Sequence, residues 1–240
     1  MKNFFTFLLF IYFTPIYSQD ILIPNFNWKL KDISQKSLNK DILFNQMDRT
    51  HVLLNDSICS NRAHVWAFDF LKKNQIEVGK IFLFYTSANS RIEGINWWYH
   101  TAPILNQKGN VWIMDAGFPE RFNKPLSVNE WLQEFTKEKI CKQIHADEDS
   151  LVDHMFKPYS FPQSTEYGKF NCYYILTPGG YWIPSSIAKN LSGHDINGNP
   201  INFSRDEMNL DEVYTACIEA TTTPWNSFFA KKRCANYVNN

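Results

Sequence analysis

The chain has no surplus of either charge: its 240 residues carry 24 Lys and Arg against 24 Asp and Glu, a formal net charge of zero. Phosphate recognition needs a clustered basic excess, so nucleic acid is excluded as the main partner. Internal repeats and low-complexity tracts are also lacking, which excludes solenoid architectures. Cys141-x-x-x-His145, with His154 further on, matches no firm zinc spacing. A disulfide cysteine and two surface histidines are the expectation there, with no metal and no cofactor. Long apolar runs are missing as well, apart from one at the N-terminus.

That run, within "MKNFFTFLLFIYFTPIYSQD", extends from Phe4 to about Phe13 behind a single lysine. It falls short of the ~20 apolar residues that span a bilayer. Small Ser18 precedes Gln19, so residues 1–18 read as a secretory signal peptide cleaved between them. A retained N-terminal anchor is the alternative. The mature protein is expected to be secreted or periplasmic, free of the membrane once cleaved, and monomeric.

Export changes how the cysteines read. There are five, Cys59, Cys141, Cys172, Cys217 and Cys234, and four of them fall in the C-terminal 100 residues. An oxidising compartment favours two disulfides among those four and leaves Cys59 free. Three pairings are possible, and spacing does not choose among them. A free thiol kept in an exported protein needs a reason, since it is open to oxidation.

Residues 19–50 have no sustained periodicity and read as an N-terminal arm or short pro-segment. "NDSICSNRAHVWAFDFLKKNQI" then reads as a helix. Asn55, Asp56 and Ser57 are all good N-caps, and apolar positions 59, 63, 66, 67, 70 and 71 form one buried stripe. Cys59 would sit in its first turn, at the positive end of the macrodipole. "GKIFLFYTS", "NWWYHTAPIL" and "NVWIMDAGF" read as strands, the last two joined by a turn in "NQKG". Ser127-x-x-Glu130 is a capping box, with Trp131, Leu132 and Phe135 on one face of the helix it opens. The remainder to residue 240 is mostly helical. The fold class is therefore α+β.

A turn centred between Gln107 and Lys108 would set His100 directly opposite Asp115. Opposed residues have Cβ atoms about 4.5–5.5 Å apart, close enough for a carboxylate to hold an imidazole N–H. Each residue alone has a plainer reading: a buried structural thiol, a core histidine, a turn-forming aspartate. Together they divide the labour of nucleophilic catalysis. Cys59 attacks a carbonyl, His100 moves protons, and Asp115 fixes the tautomer. Backbone N–H groups at the start of the cysteine helix offer an oxyanion hole. Along the strand, Trp98 shares a face with His100 and is expected to wall the imidazole and meet substrate. His64 should be structural, hydrogen-bonded to a neighbouring strand, and Arg62 a solvated or helix-bracing cation.

"CSNRAHVWAFDFL", "WWYHTAP" and "IMDAGF" resemble the three active-site segments of the bacterial protein-glutamine glutaminases, whose core is papain- and transglutaminase-like. The Cys-x-x-Arg-Ala-His motif falls on Cys59, Arg62, Ala63 and His64, the Trp-x-Tyr-His motif on Trp97, Tyr99 and His100, and the aspartate on Asp115. The separations of 41 and 15 residues are of the family's order. Ala116 departs from the proline that follows the aspartate in the family, and the C-terminal half matches nothing in it. The resemblance implies a nucleophile helix packed on an antiparallel sheet. It also implies one catalytic domain over residues 51–240, with a core at 51–125 and an extension at 126–240. The implied reaction is deamidation of glutamine in a protein or peptide through a thioester on Cys59, releasing ammonia. The alternatives are a transglutaminase-like acyltransferase or thiol peptidase on the same core, or a non-enzymatic exported binding module.

Overall fold

The computed structural model describes residues 19–49, 59–85, 91–92, 95–96, 98–136, 140–145, 149–158, 160–161, 170, 172–191, 208–221 and 227–237. The expected signal segment, the caps Asn55, Asp56 and Ser57, and Trp97 lie outside the described residues. In chain order the elements are β1 (Ile21–Ile23), β2 (Trp28–Leu30), α1 (Lys40–Asn45), α2 (Cys59–Asn74), β3 (Gly79–Tyr85), β4 (Arg91–Ile92), β5 (Ile95–Asn96) and β6 (Tyr99–Gln107). There follow β7 (Asn110–Ile113), β8 (Leu126–Ser127), α3 (Val128–Thr136), β9 (Cys141–Gln143), α4 (Asp149–Val152), β10 (Cys172–Pro178), α5 (Pro184–Leu191), α6 (Leu210–Thr221) and α7 (Ser227–Cys234).

A six-stranded sheet in the order β8-β7-β6-β3-β10-β9 organises these elements, antiparallel except for the β10–β9 pair. The α+β expectation is borne out. All seven residues of β3 are buried, as its unbroken bulky run requires of a strand covered on both faces. Ile81, Leu83 and Tyr85 join one apolar cluster with Trp66, Phe70, Trp131 and Phe135. Phe82 and Phe84 join another with Tyr173, Ile175 and Tyr181. β9 and β10, far along the chain, complete the sheet beside β3. The N-terminal arm packs into the first cluster through Ile23, Leu30, Ile33, Leu43 and Phe44.

The spacing in α2 predicts one buried stripe, yet every residue from Cys59 to Phe68 is buried. β6 packs on one part of the helix and α6 on another. Val65 belongs to a cluster with Ala216, Cys217 and Cys234. The second cover comes from sequence about 150 residues downstream, so no local pattern could announce it.

Two disulfides close the C-terminal half, as the cysteine count implies. Cys141–Cys172 joins directly opposed residues of β9 and β10, Cys217–Cys234 ties α6 to α7, and Cys59 remains free and buried. The second bridge staples the cover over α2. Replacing Cys217 and Cys234 together with Ser should lower the unfolding free energy by about 3 kcal/mol through loop-closure entropy alone. Urea denaturation of the variant with Cys141–Cys172 intact checks this, and an unchanged midpoint would refute it.

Candidate active site

The β6–β7 hairpin turns at Lys108 and Gly109, both at positive φ (56° and 74°), the conformation that a two-residue turn between twisted strands demands. The N-terminal arm pins this turn: Asp32 Oδ2 accepts from Lys108 N–H at 3.0 Å, and Asn106 Nδ2 donates to Leu30 O at 3.0 Å. The register runs from Gln107↔Asn110 to Ile104↔Ile113. The turn is thus centred one residue later than the sequence suggests, and His100 does not lie directly opposite Asp115. Moving the centre by one residue moves the partner by two. Because side chains alternate with period two, both residues keep the same face and meet diagonally.

Pro103 explains how Asp115 gets there. Met114 N–H donates to Pro103 O at 2.8 Å, but the reciprocal bond is impossible because proline has no N–H. β7 therefore ends at Ile113 and the chain peels away at Asp115. His100 Nε2 and Asp115 Oδ2 lie 2.8 Å apart, with both side chains buried. Trp131 Nε1 donates to the same Oδ2 at 2.9 Å, and Gly117 N–H to Oδ1 at 3.0 Å. Burial alone would raise the Asp115 carboxyl, but the His100 charge and these hydrogen bonds hold it below the ordinary value.

Cys59 opens α2, and its thiol donates weakly to Tyr99 O at 3.9 Å, one peptide from His100. The Cys59 side chain also bears on the imidazole. Burial by itself would lower the His100 pKa; the Asp115 charge and hydrogen bond, reinforced by the Cys59 side chain, instead raise it to about 9. Tyr99 O–H donates to Ser60 Oγ at 3.0 Å, so the residue beside Cys59 is tied to the residue beside His100.

The aromatic wall of His100 differs from the expected one. Trp131 stacks on the ring at 5.5 Å and 23°, while Phe135 lies at 4.7 Å and Phe118 at 5.5 Å. Trp98 instead turns edge-on to Tyr99 at 4.7 Å and packs against Phe84 at 6.3 Å. Regular strand geometry starts only at Tyr99, so alternation did not bind the residue before it. The missed wall had a signal. The capping box is present, with Glu130 N–H donating to Ser127 Oγ at 3.3 Å and Ser127 N–H to Glu130 Oε2 at 2.8 Å. It fixes the start of α3 and sends Trp131 and Phe135, one turn apart, to the same side.

Arg62 is 6% exposed, not solvated, because α2 is buried all round from Cys59 to Phe68. A Cβ on Gly117 would lie 3.0 Å from Asp115 Oδ1 and 3.3 Å from Arg62 Nη2, so the glycine lets Arg62 lie against the loop that carries Asp115. His64 is buried, and its Nδ1 lies 2.7 Å from Lys80 Nζ on β3, in line with a structural histidine bonded to a strand. Among the described residues, no group of three or more His, Cys, Asp or Glu is placed to hold a metal ion, and no helix is long and apolar enough to cross a membrane.

Comparison with known families matches residues 30–135 to a family described as glutaminase. The match covers a segment of somewhat under half the chain, which is similar to that family. The resemblance drawn from the three motifs is borne out there, and with it the coarse reading of a glutamine-deamidating enzyme. The glutaminase segment runs from the N-terminal arm through α3, and so contains Cys59, His100, Asp115 and the Trp131 wall. Among solved structures, the NMR structure of protein-glutaminase from Chryseobacterium proteolyticum is similar at 15% identity and a TM-score of 0.38, covering 80% of this chain and 92% of that one. No curated protein matches the chain.

Proposed function

We propose that the protein is an exported cysteine hydrolase that deamidates glutamine side chains in proteins or peptides, with Cys59 as nucleophile, His100 as acid and base, and Asp115 as orienting carboxylate. One observation carries the reading: within the glutaminase segment, the free thiol at the start of α2 and the Asp115 carboxylate both bear on the same buried imidazole. Residues 1–18 serve as the signal segment, residues 19–50 as the arm, and residues 51–240 as the catalytic domain. Trp98, half-buried beside Tyr99, lines the substrate side.

With Nε2 donating to Asp115, Nδ1 is the nitrogen that exchanges a proton with Cys59. Cys59 gives its proton to His100, and the sulfur, as a thiolate beside the imidazolium that the raised pKa of about 9 favours, attacks the δ-carbonyl of glutamine. Backbone N–H groups at the start of α2 receive the oxyanion. His100 then protonates the leaving nitrogen, the C–N bond breaks, ammonia departs, and a γ-glutamyl thioester remains. Water, losing its proton to His100, attacks the thioester to give glutamate and regenerate the thiol. The test is ammonia release from a glutamine-containing peptide, with mass spectrometry of the product. Ammonia together with a Gln-to-Glu mass change, abolished when iodoacetamide has alkylated Cys59, is expected. No ammonia from a protein whose Cys59 resists alkylation would sink the proposal, while amine incorporation or backbone cleavage would redirect it to an acyltransferase or peptidase.

The raised His100 pKa sets the alkaline limit. Protonation of the leaving nitrogen needs the imidazolium, so kcat/KM should fall as pH rises through about 9. The same group's contribution to folding is fully present below the ordinary imidazole value of 6.5 and is lost as pH rises through about 9. A pH–rate profile whose upper limb lay near 6.5 would contradict this.

A further inference from the structure

Two phenols lie within reach of the Cys59 charge, and they differ in one respect. Burial, and after it the charge on Cys59, raises the hydroxyl pKa of both Tyr85 and Tyr99. Tyr99 has already committed its proton, donating to Ser60 Oγ at 3.0 Å. The Tyr85 hydroxyl is buried and has no hydrogen-bond partner among the described residues. A buried hydroxyl left unpaired is costly, and an unpaired one beside a reaction centre calls for a function.

The backbone fixes where Tyr85 stands. It ends β3, where its N–H donates to Trp98 O at 3.0 Å, and it pairs across the other edge with Cys172. Two residues earlier, Leu83 is the direct partner of His100. Tyr85 and Leu83 share a face by alternation, so the Tyr85 ring lies on the His100 side of the sheet, in the apolar cluster that holds Trp131 and Phe135. The Asp115 charge reaches the hydroxyl too. The group is held at the working end of the sheet, keeps its proton at every working pH, and has nothing among the described residues to donate it to.

Ionisation of Cys59 creates an acceptor. In the thiol form the sulfur donates to Tyr99 O at 3.9 Å. Loss of that proton turns the contact into one between an anion and a carbonyl oxygen, and it leaves His100 as the donor facing the sulfur. A thiolate in a dry site needs more than one donor. We propose that Tyr85 is a positioning residue whose hydroxyl donates a hydrogen bond to the Cys59 sulfur once it is a thiolate, holding the nucleophile ready for attack. The thiol proton goes to His100 as before, and Tyr85 keeps its own throughout. This rests on the reading of Cys59 as the nucleophile.

The experiment follows the pH dependence of Cys59 alkylation by iodoacetamide in the full, unreduced chain, for the wild type, Tyr85→Phe and Tyr85→Met. Both variants delete the hydroxyl and keep an apolar filling. Each should move the alkylation midpoint up by about one pH unit, so that labelling below the midpoint is about tenfold slower. The acid limb of ammonia release should move with it. The melting temperature of Tyr85→Phe should stay the same or rise, because no bond to a described residue is lost. Thr101→Val is the control. It also removes a buried hydroxyl without a partner among the described residues, but from the side of β6 that pairs with Phe82, away from the His100 face. It should leave the midpoint where it is. If wild-type Cys59 resists alkylation, the nucleophile reading falls and this proposal with it. If wild-type Cys59 reacts and both Tyr85 variants share its midpoint, the Tyr85 role alone is wrong.

Discussion

Replacing Asp115 with Asn is expected to lower kcat by about 10³–10⁴-fold, the scale seen when the carboxylate of a nucleophile–His–Asp set loses its charge. The geometry gives two reasons. Asp115 Oδ2 accepts from both His100 Nε2 and Trp131 Nε1, while Oδ1 accepts from Gly117 N–H. An asparagine has one oxygen and one NH₂ group, so in either orientation its NH₂ faces at least one of these donors. The amide also cannot hold the imidazolium by charge. The support that raises His100 to about 9 is then removed, and burial pulls its pKa down. The alkaline limb of the variant should therefore move to lower pH along with the loss of rate. Steady-state ammonia release across pH, with Cys59→Ala as the floor, measures both. Activity within tenfold of wild type would rule out the orienting role.

The largest stability effect is expected at Lys80, a lysine with no exposed surface in the middle of the sheet. Its Nζ donates to Tyr181 O at 2.6 Å and lies 2.7 Å from His64 Nδ1. His64 Nε2 in turn faces Glu212 Oε2 at 3.9 Å. The arrangement braces β3 to α2 and α2 to α6, beneath the turn that carries Cys59. Lys80→Met keeps much of the volume but leaves Tyr181 O and His64 Nδ1 without this donor. Leaving a buried polar group unsatisfied costs about 1–3 kcal/mol, whereas replacing both partners with apolar groups can be nearly neutral. Urea unfolding should find Lys80→Met destabilised on that scale, and the double variant with His64→Phe recovering a good part of it. A single-variant effect below about 1 kcal/mol would mean that the brace contributes little.

What the sequence disclosed depended on the range over which each feature is determined. The free Cys59 and the paired remainder followed from counting and compartment, while the pairing depended on where β9 and α7 fold back. The His100–Asp115 contact survived a misplaced turn because a two-residue slip preserves the face of a strand. Lys108 at positive φ is what put the turn off centre, since only Gly109 advertises that conformation. Trp98 was assigned by alternation to a wall that α3 supplies, because local periodicity says nothing of which helix crosses the sheet. Arg62 was left as a solvated or a helix-bracing cation, and burial excludes the first; sequence could not choose because α6, which covers its helix, is encoded beyond residue 209.

The placement of β10 has a consequence for the order of events in biosynthesis. β3, which lies next to the His100 strand, takes its other neighbour from Cys172–Pro178, and Gly79 pairs with Pro178 across about 100 residues of chain. A growing chain that has reached only residue 135 would hold Cys59, His100 and Asp115, yet β3 would be an unpaired edge with its apolar faces bare. Such long-range pairings form late and slowly. The residues proposed for catalysis are translated early, but the scaffold that holds them closes only after β10, α6 and α7 have emerged. The thiol, the imidazole and the carboxylate are thus all translated before the segments that close the sheet and cover α2 around them.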